Sequence, residues 1–162
     1  MLTNPSSYRK MLRACLRPLV VTALDPGGPE ALMLDPELLW AARLDELEQV
    51  EFWTRGCDRA ATSVGLGIAG EVRVCGSLTQ KFKPGDVLSV VAYAYVLPDD
   101  KEAHLAHFVE VGPGNRAIEI NSRPIRSQTI HPSYVLPDHD EEPWVALAMP
   151  AARSTASGGP SW

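Results

Sequence analysis

The sequence predicts a mostly β barrel with two short helical turns, and three observations carry that prediction. Six or more runs of four to ten residues are apolar or alternate apolar with polar, as strands do. Clusters of turn residues separate them. Fourteen prolines and twelve glycines in 162 residues leave little room for long helices, while a 45% hydrophobic composition is enough to fill a core.

Taken in chain order, Leu16 to Leu24 carries the β-branched Val20, Val21 and Thr22 and runs into Asp25-Pro26-Gly27-Gly28-Pro29, a strand entering a tight loop. Asp35-Pro36-Glu37 supplies an N-cap oxygen, a proline suited to the first helical position and an acid at the positive helix end. A short helix from Pro36 to Ala42 follows. Gln49 to Trp53 reads as a strand closed by Arg55-Gly56, and Ala60 to Ile68 as another, weakened by Gly65 and Gly67. Val72 and Val74 alternate with Glu71, Arg73 and Cys75, a half-buried strand ending at Gly76. Lys83-Pro84-Gly85-Asp86 is a turn that feeds the longest strand, Val87 to Val96. Ala106 to Val111 and Ala117 to Ile120 form a hairpin around Gly112-Pro113-Gly114.

These elements occupy residues 1–121. Residues 122–162 read as a proline-punctuated C-terminal extension in which Trp144 to Met149 is apolar enough to dock and Ser154 to Trp162 is a mobile end. A net charge of −5 with no long Lys/Arg run argues against nucleic acid as a partner. The longest apolar run, Val87 to Leu97, falls short of the ~20 residues a membrane helix needs, so no membrane partner is expected. The N-terminal MLTNPSSYRK lacks the apolar segment of a signal peptide, and Cys15, Cys57 and Cys75 cannot all pair and lack CxxC spacing; a cytoplasmic protein without a metal is expected. His104 and His107, three apart, read as solvated histidines at a loop edge, and Asp138 to Glu142 as a solvated acidic turn.

Several local strings recur in a definite order: Met11-Leu12-Arg13 opening the first strand, Leu34-Asp35 before the helix, then Trp53, Arg59 with Thr62, Gly76, and Gly85-Asp86 opening the long strand. Over about residues 9 to 120 this order and spacing resemble the bacterial aspartate 1-decarboxylase family, pyruvoyl-dependent enzymes that make β-alanine. The resemblance implies a double-psi β-barrel with short helices, assembled as a homo-oligomer, with a tetramer favoured and active sites between neighbouring subunits.

In that family a Gly-Ser bond cleaves itself and the serine becomes the pyruvoyl electron sink. The register here places Glu30-Ala31 on that pair. Alanine has no hydroxyl to attack the preceding carbonyl, and between Ala23 and Ala61 only Thr54 and Cys57 could substitute, far along the chain. The resemblance therefore implies a chain without the pyruvoyl cofactor. The family's substrate-pairing lysine falls on Cys15, its catalytic tyrosine on Ser63 and the asparagine of its Asn-Gly pair on Cys75. Arg59 matches the substrate-binding arginine, Thr62 the threonine that assists maturation, and Trp53 the pocket wall. The expected pocket lies around Arg59, Thr62 and Trp53, with Cys15, Arg17, Ser63 and Cys75 on its rim or floor, wider and less polar than an aspartate site. Against this stand plainer readings: Arg59 as a surface arginine, Trp53 as core, and the cysteines as small buried apolar groups.

The leading expectation is a cofactor-free cyclase or isomerase acting on a small, fairly apolar natural-product intermediate, with Arg59 stabilising charge on a carbonyl. The alternatives are a non-catalytic or regulatory decarboxylase-like subunit and, third, aspartate 1-decarboxylase itself, against which Ala31 argues.

Overall fold

Alternation of buried and exposed side chains organises the chain into strands, and the turn residues decide where each one stops. The computed structural model describes residues 8–56 and 58–125. Its elements are β1 (Arg9–Val20), β2 (Ala23–Asp25), β3 (Ala31–Leu34), α1 (Pro36–Ala42), β4 (Gln49–Thr54), β5 (Arg59–Leu66), β6 (Val72–Cys75), β7 (Val87–Val96), β8 (Leu105–Gly112) and β9 (Arg116–Pro124). Single 3-10 turns occupy Gly76–Gln80, Pro98–Ala103 and Pro113–Asn115.

The nine strands hydrogen-bond in the order β2-β6-β3-β5-β4-β7-β1-β8-β9. Because β2 resumes β1 after only two residues, this order returns to its own start. β1 pairs antiparallel with β7, and its continuation β2 pairs parallel with β6. Six lengths of strand thus close a barrel, with β8 laid parallel against β1 and β9 antiparallel against β8. Closure leaves no free edge in the ring itself. The fold is the expected double-psi β-barrel.

The break at Val21-Thr22 is where the chain changes neighbours. Val21 N–H donates to Asp86 O at 2.9 Å and Val21 O accepts from Gly85 N at 2.8 Å, both on the turn before β7. One residue later, Thr22 exchanges bonds with Val72: its N–H reaches Val72 O at 2.8 Å, and its Oγ1 accepts from Val72 N at 3.0 Å. The single strand expected over Leu16 to Leu24 is therefore two, and the first begins earlier, at Arg9. Its mixed polar start is held by pairing with Tyr95 and Val96 rather than by its own pattern. β3 was not foreseen, being only four residues between turns, and β9 runs to Pro124, three residues past the boundary expected at Asn121.

The barrel interior is filled by one residue in two from each strand, including Ala14, Leu16, Leu32, Leu34, Val50, Phe52, Val64, Val72, Val74, Leu88 and Val90. Phe52 and Phe82 rings lie 5.0 Å apart in a tilted pair. Helix α1 covers one side through Leu38, Leu39, Ala41 and Ala42, as predicted from its cap. Buried Asp35 accepts from Glu37 N at 2.8 Å through Oδ1 and from Gly70 N at 2.6 Å through Oδ2, so one carboxylate fixes both the helix start and the turn before β6. Asn115 plays the matching role at the hairpin tip: its side chain accepts from Val20 N and donates to Val20 O and Gly70 O. Residues 126–162, with Trp144 to Met149 and Asp138 to Glu142, lie outside the described residues, as does Cys57.

Candidate functional site

Since Val50 and Phe52 fill the core, Trp53 projects from the outer wall of the barrel, and the same parity places Cys15 between inward-facing Ala14 and Leu16. Across the sheet, Trp53 pairs with Arg59 on β5 and Ser89 on β7, while Cys15 pairs with Val91 on β7 and Phe108 on β8. Arg17 and Pro18 together stand opposite the single Ser89 in a bulge, because Leu16 pairs with Val90 and Leu19 with Leu88. A bulge turns its side chains away from the ladder, and Arg17 is exposed there.

These residues enclose an open cavity of about 530 Å³ on the outer wall, lined by Cys15, Arg17, Trp53, Arg55, Ser89, Phe108, Glu110, Asn121 and Arg123 among others. Two aromatic rings carry stacked guanidiniums: Arg59 lies 5.1 Å from the Trp53 ring centre, and Arg123 lies 4.7 Å from that of Phe108. Three arginines line the cavity against one acid, Glu110. The site is thus cationic, and Arg55 and Arg123 had not been assigned to it.

Of the residues expected together, Cys15, Arg17 and Trp53 share the cavity, with Arg59 beside it on the Trp53 ring. Thr62 does not join them. It is buried among Ala60 and Val64 on the inner face of β5, opposite to the exposed Arg59, because residues three apart on a strand face opposite ways. Ser63 shares Arg59's face but sits opposite Gln49, about 13 Å along the strand, and does not line the cavity. Cys75 lies at the end of β6, paired with Ala31 and Asp25. Of the residues missed, Phe108, Glu110, Asn121 and Arg123 come from β8 and β9, Ser89 from β7 and Arg55 from the turn after β4. Alternation in the Ala106 to Val111 run put Phe108 and Glu110 opposite Val109 and Val111, and that was the only signal for them.

Neither described cysteine is poised as a thiolate. Burial raises the Cys15 thiol above its ordinary pKa, with the Arg17 guanidinium partly offsetting it. Cys75 is also raised by burial, which Arg73 opposes and Asp25 and Glu71 reinforce.

Around Ala31 the backbone is closely packed. Gly76 has φ +76°, and a Cβ there would stand 2.8 Å from Glu30 Cα. The Glu30 carboxylate accepts from Ser77 Oγ at 3.1 Å. Of the two histidines only His104 stays at a loop edge, half-buried just before β8 with Nε2 2.7 Å from Leu12 O, whereas His107 is buried on β8, with Nδ1 2.8 Å from Ser122 Oγ. The strand pairing that draws β8 against β1 and β9 is what encloses His107. Among the described residues no group of three or more His, Cys, Asp or Glu side chains is placed to hold a metal, and no helix is long and apolar enough to cross a membrane.

Fold and site together define a double-psi β-barrel protein with an arginine- and aromatic-lined pocket on its outer wall. The chain belongs to the aspartate decarboxylase family, whose model matches residues 7–118. Similar proteins include the aspartate 1-decarboxylases of Rhodopirellula baltica, 32% identical over 112 residues covering 67% of this chain and 72% of that one, and of Legionella pneumophila strain Lens, 33% identical over 118 residues covering 70% and 88%. That of Salinibacter ruber is 33% identical over 122 residues, covering 74% and 84%. The match ends inside β9, so Asn121 and Arg123 lie beyond it.

Proposed function

We propose that this chain is an aspartate decarboxylase family member that does not process itself, and that its outer-wall pocket carries out a cofactor-free cyclisation or isomerisation of a small natural-product intermediate bearing an acidic oxygen. The observation that carries this reading is Ala31, the residue that the family register sets in the serine position. Self-cleavage needs a hydroxyl on the residue after the scissile carbonyl, and a methyl group supplies neither the nucleophile nor the precursor of a ketone. Ser77, the hydroxyl beside Glu30, is engaged by the Glu30 side chain. The residues around Ala31 therefore do not fit a pyruvoyl group, and no step is routed through one.

The pocket supports chemistry of a different kind. Its guanidiniums suit a carboxylate or an enolate through paired N–H donors, and its half-buried aromatic rings suit a planar or unsaturated body. Holding such a substrate in a reactive conformation removes much of the entropic barrier to an intramolecular step, and Arg59 beside Trp53 stabilises charge developing on a carbonyl oxygen. The cavity is open on one side, which fits completion by a second copy in a homo-oligomer, a tetramer by family resemblance.

The name carried by the relatives favours a second reading, aspartate 1-decarboxylase. Denaturing mass spectrometry separates the two. A single species near 17.6 kDa, with no carbon dioxide released from aspartate above background, is expected. Fragments of about 3 and 14 kDa with a pyruvoyl end overturn the proposal.

A further inference from the structure

On the face of the β8–β9 hairpin opposite Phe108 and Arg123, a second open groove runs between α1 and the hairpin, lined by Arg13, Arg43, His107 and Ser122 and by an apolar wall of Leu39, Trp40, Leu66 and Ile120. His107 and Ser122 are directly paired across β8 and β9, with Nδ1 and Oγ 2.8 Å apart. We propose that Ser122 is the nucleophile, and His107 its general base, of an acyl-transfer site that hydrolyses small esters or thioesters with an apolar acyl chain. This site is independent of the outer-wall pocket and of the function proposed for it.

Four observations meet at this site. The Ser122 side chain is exposed, so an acyl carbon can reach Oγ, whereas His107 is buried and held in place by strand pairing. With Nδ1 accepting from Ser122, the other ring nitrogen has no protein partner among the described residues and carries the remaining proton. Burial and the neighbouring charges of Arg43, Arg13 and His104 lower the His107 pKa below its ordinary value, which keeps the ring neutral and able to accept a proton near pH 7. The Arg43 guanidinium forms no ion pair among the described residues, while Arg13 is engaged by Glu48 and by the Arg43 carbonyl. Arg43 and 78%-exposed Trp40 line the same groove as Ser122, so the groove offers an unpaired cation for the carbonyl oxygen that would become negative and an aromatic surface for an acyl chain.

The step balances without a co-reactant other than water. Ser122 Oγ attacks the carbonyl carbon as its proton passes to His107 Nδ1, and the carbonyl electron pair moves onto oxygen near Arg43. Collapse breaks the bond to the alcohol or thiol, which leaves with the proton from His107. Water then repeats the sequence on the Ser122 ester and releases the acid.

The test uses the full chain with a short-alkyl fluorophosphonate, followed by digestion and mass mapping, beside hydrolysis of p-nitrophenyl butyrate. A stoichiometric adduct on Ser122 is expected. Ser122→Ala should abolish it and remove the ester hydrolysis while the chain still folds, its melting temperature lowered only by the hydrogen bond that buried His107 loses. His107→Gln should slow labelling by roughly 10²–10⁴-fold and Arg43→Met by roughly 10²-fold. Wild-type labelling should fall as pH drops through the His107 pKa, which burial and the charges of Arg43, Arg13 and His104 hold below the ordinary histidine value, while Asp45 and Glu46 also line the groove. No adduct, an adduct on another serine, hydrolysis unchanged in Ser122→Ala, or labelling unchanged in His107→Gln would each show the pair to be a cross-strand hydrogen bond and nothing more.

Discussion

Replacing Gly76 by alanine should destabilise the barrel far more than the same change at Gly85. Both residues have positive φ, +76° and +93°, so each substitution incurs the left-handed penalty of about 1–2 kcal/mol. They differ in surroundings. A Cβ on Gly85 meets nothing within 4 Å, whereas one on Gly76 stands 2.8 Å from Glu30 Cα and 3.0 Å from Glu30 N, which are backbone atoms that move only if the turn before β3 moves. Overpacking of that kind adds about 1–3 kcal/mol, for a total of about 2–5 at Gly76 against 1–2 at Gly85. For a domain of this size that is a fall in melting temperature of roughly 6–20 °C against roughly 3–8 °C. Urea unfolding and thermal melts of the two variants measure the difference directly. Equal losses would refute the close packing of Gly76 on Glu30, and with it the placement of Ala31 opposite Cys75.

Asn115→Ala removes one acceptor and two donor bonds at a buried position with φ +55° and should lose about 2–4 kcal/mol in chemical denaturation; Asn115→Gly relieves the backbone but not the lost bonds, and should lie between the two. Under the proposed function, Arg59→Ala should reduce turnover of a linear precursor by about ten- to a thousandfold with the fold intact, and full activity would remove the electrostatic role of Arg59. Cys15→Ala should leave turnover unchanged. Because burial raises the Cys15 thiol, its alkylation by iodoacetamide should be slow at pH 7 and accelerate only above the ordinary thiol range; fast labelling at pH 7 would point to covalent catalysis.

Much of this architecture was legible because strands, turns and caps are local. The Asp35-Pro36-Glu37 start of α1, the Lys83–Asp86 turn and the full length of β7 fell where side-chain chemistry put them. Pairing across long separations was not legible: β1 starts at Arg9 because Tyr95 and Val96 lie beside it, and no pattern within Arg9 to Leu12 says so. For the site, parity was available but adjacency was not. Alternation alone separates Arg59 from Thr62, a consequence that the family resemblance had obscured.

The sequence by itself determined the strand-rich class, the family and the alanine at position 31, because composition, local pattern and side-chain identity do not depend on what lies opposite. Only the tertiary structure decided that Arg123 and Phe108 meet Cys15 on the outer wall, that Cys75 keeps company with Ala31 instead, and that His107 is buried against Ser122. Each of those meetings joins strands brought together by barrel closure and fixed in register by hydrogen bonds across the sheet. A one-residue slip in that register would turn every one of these side chains to the other face.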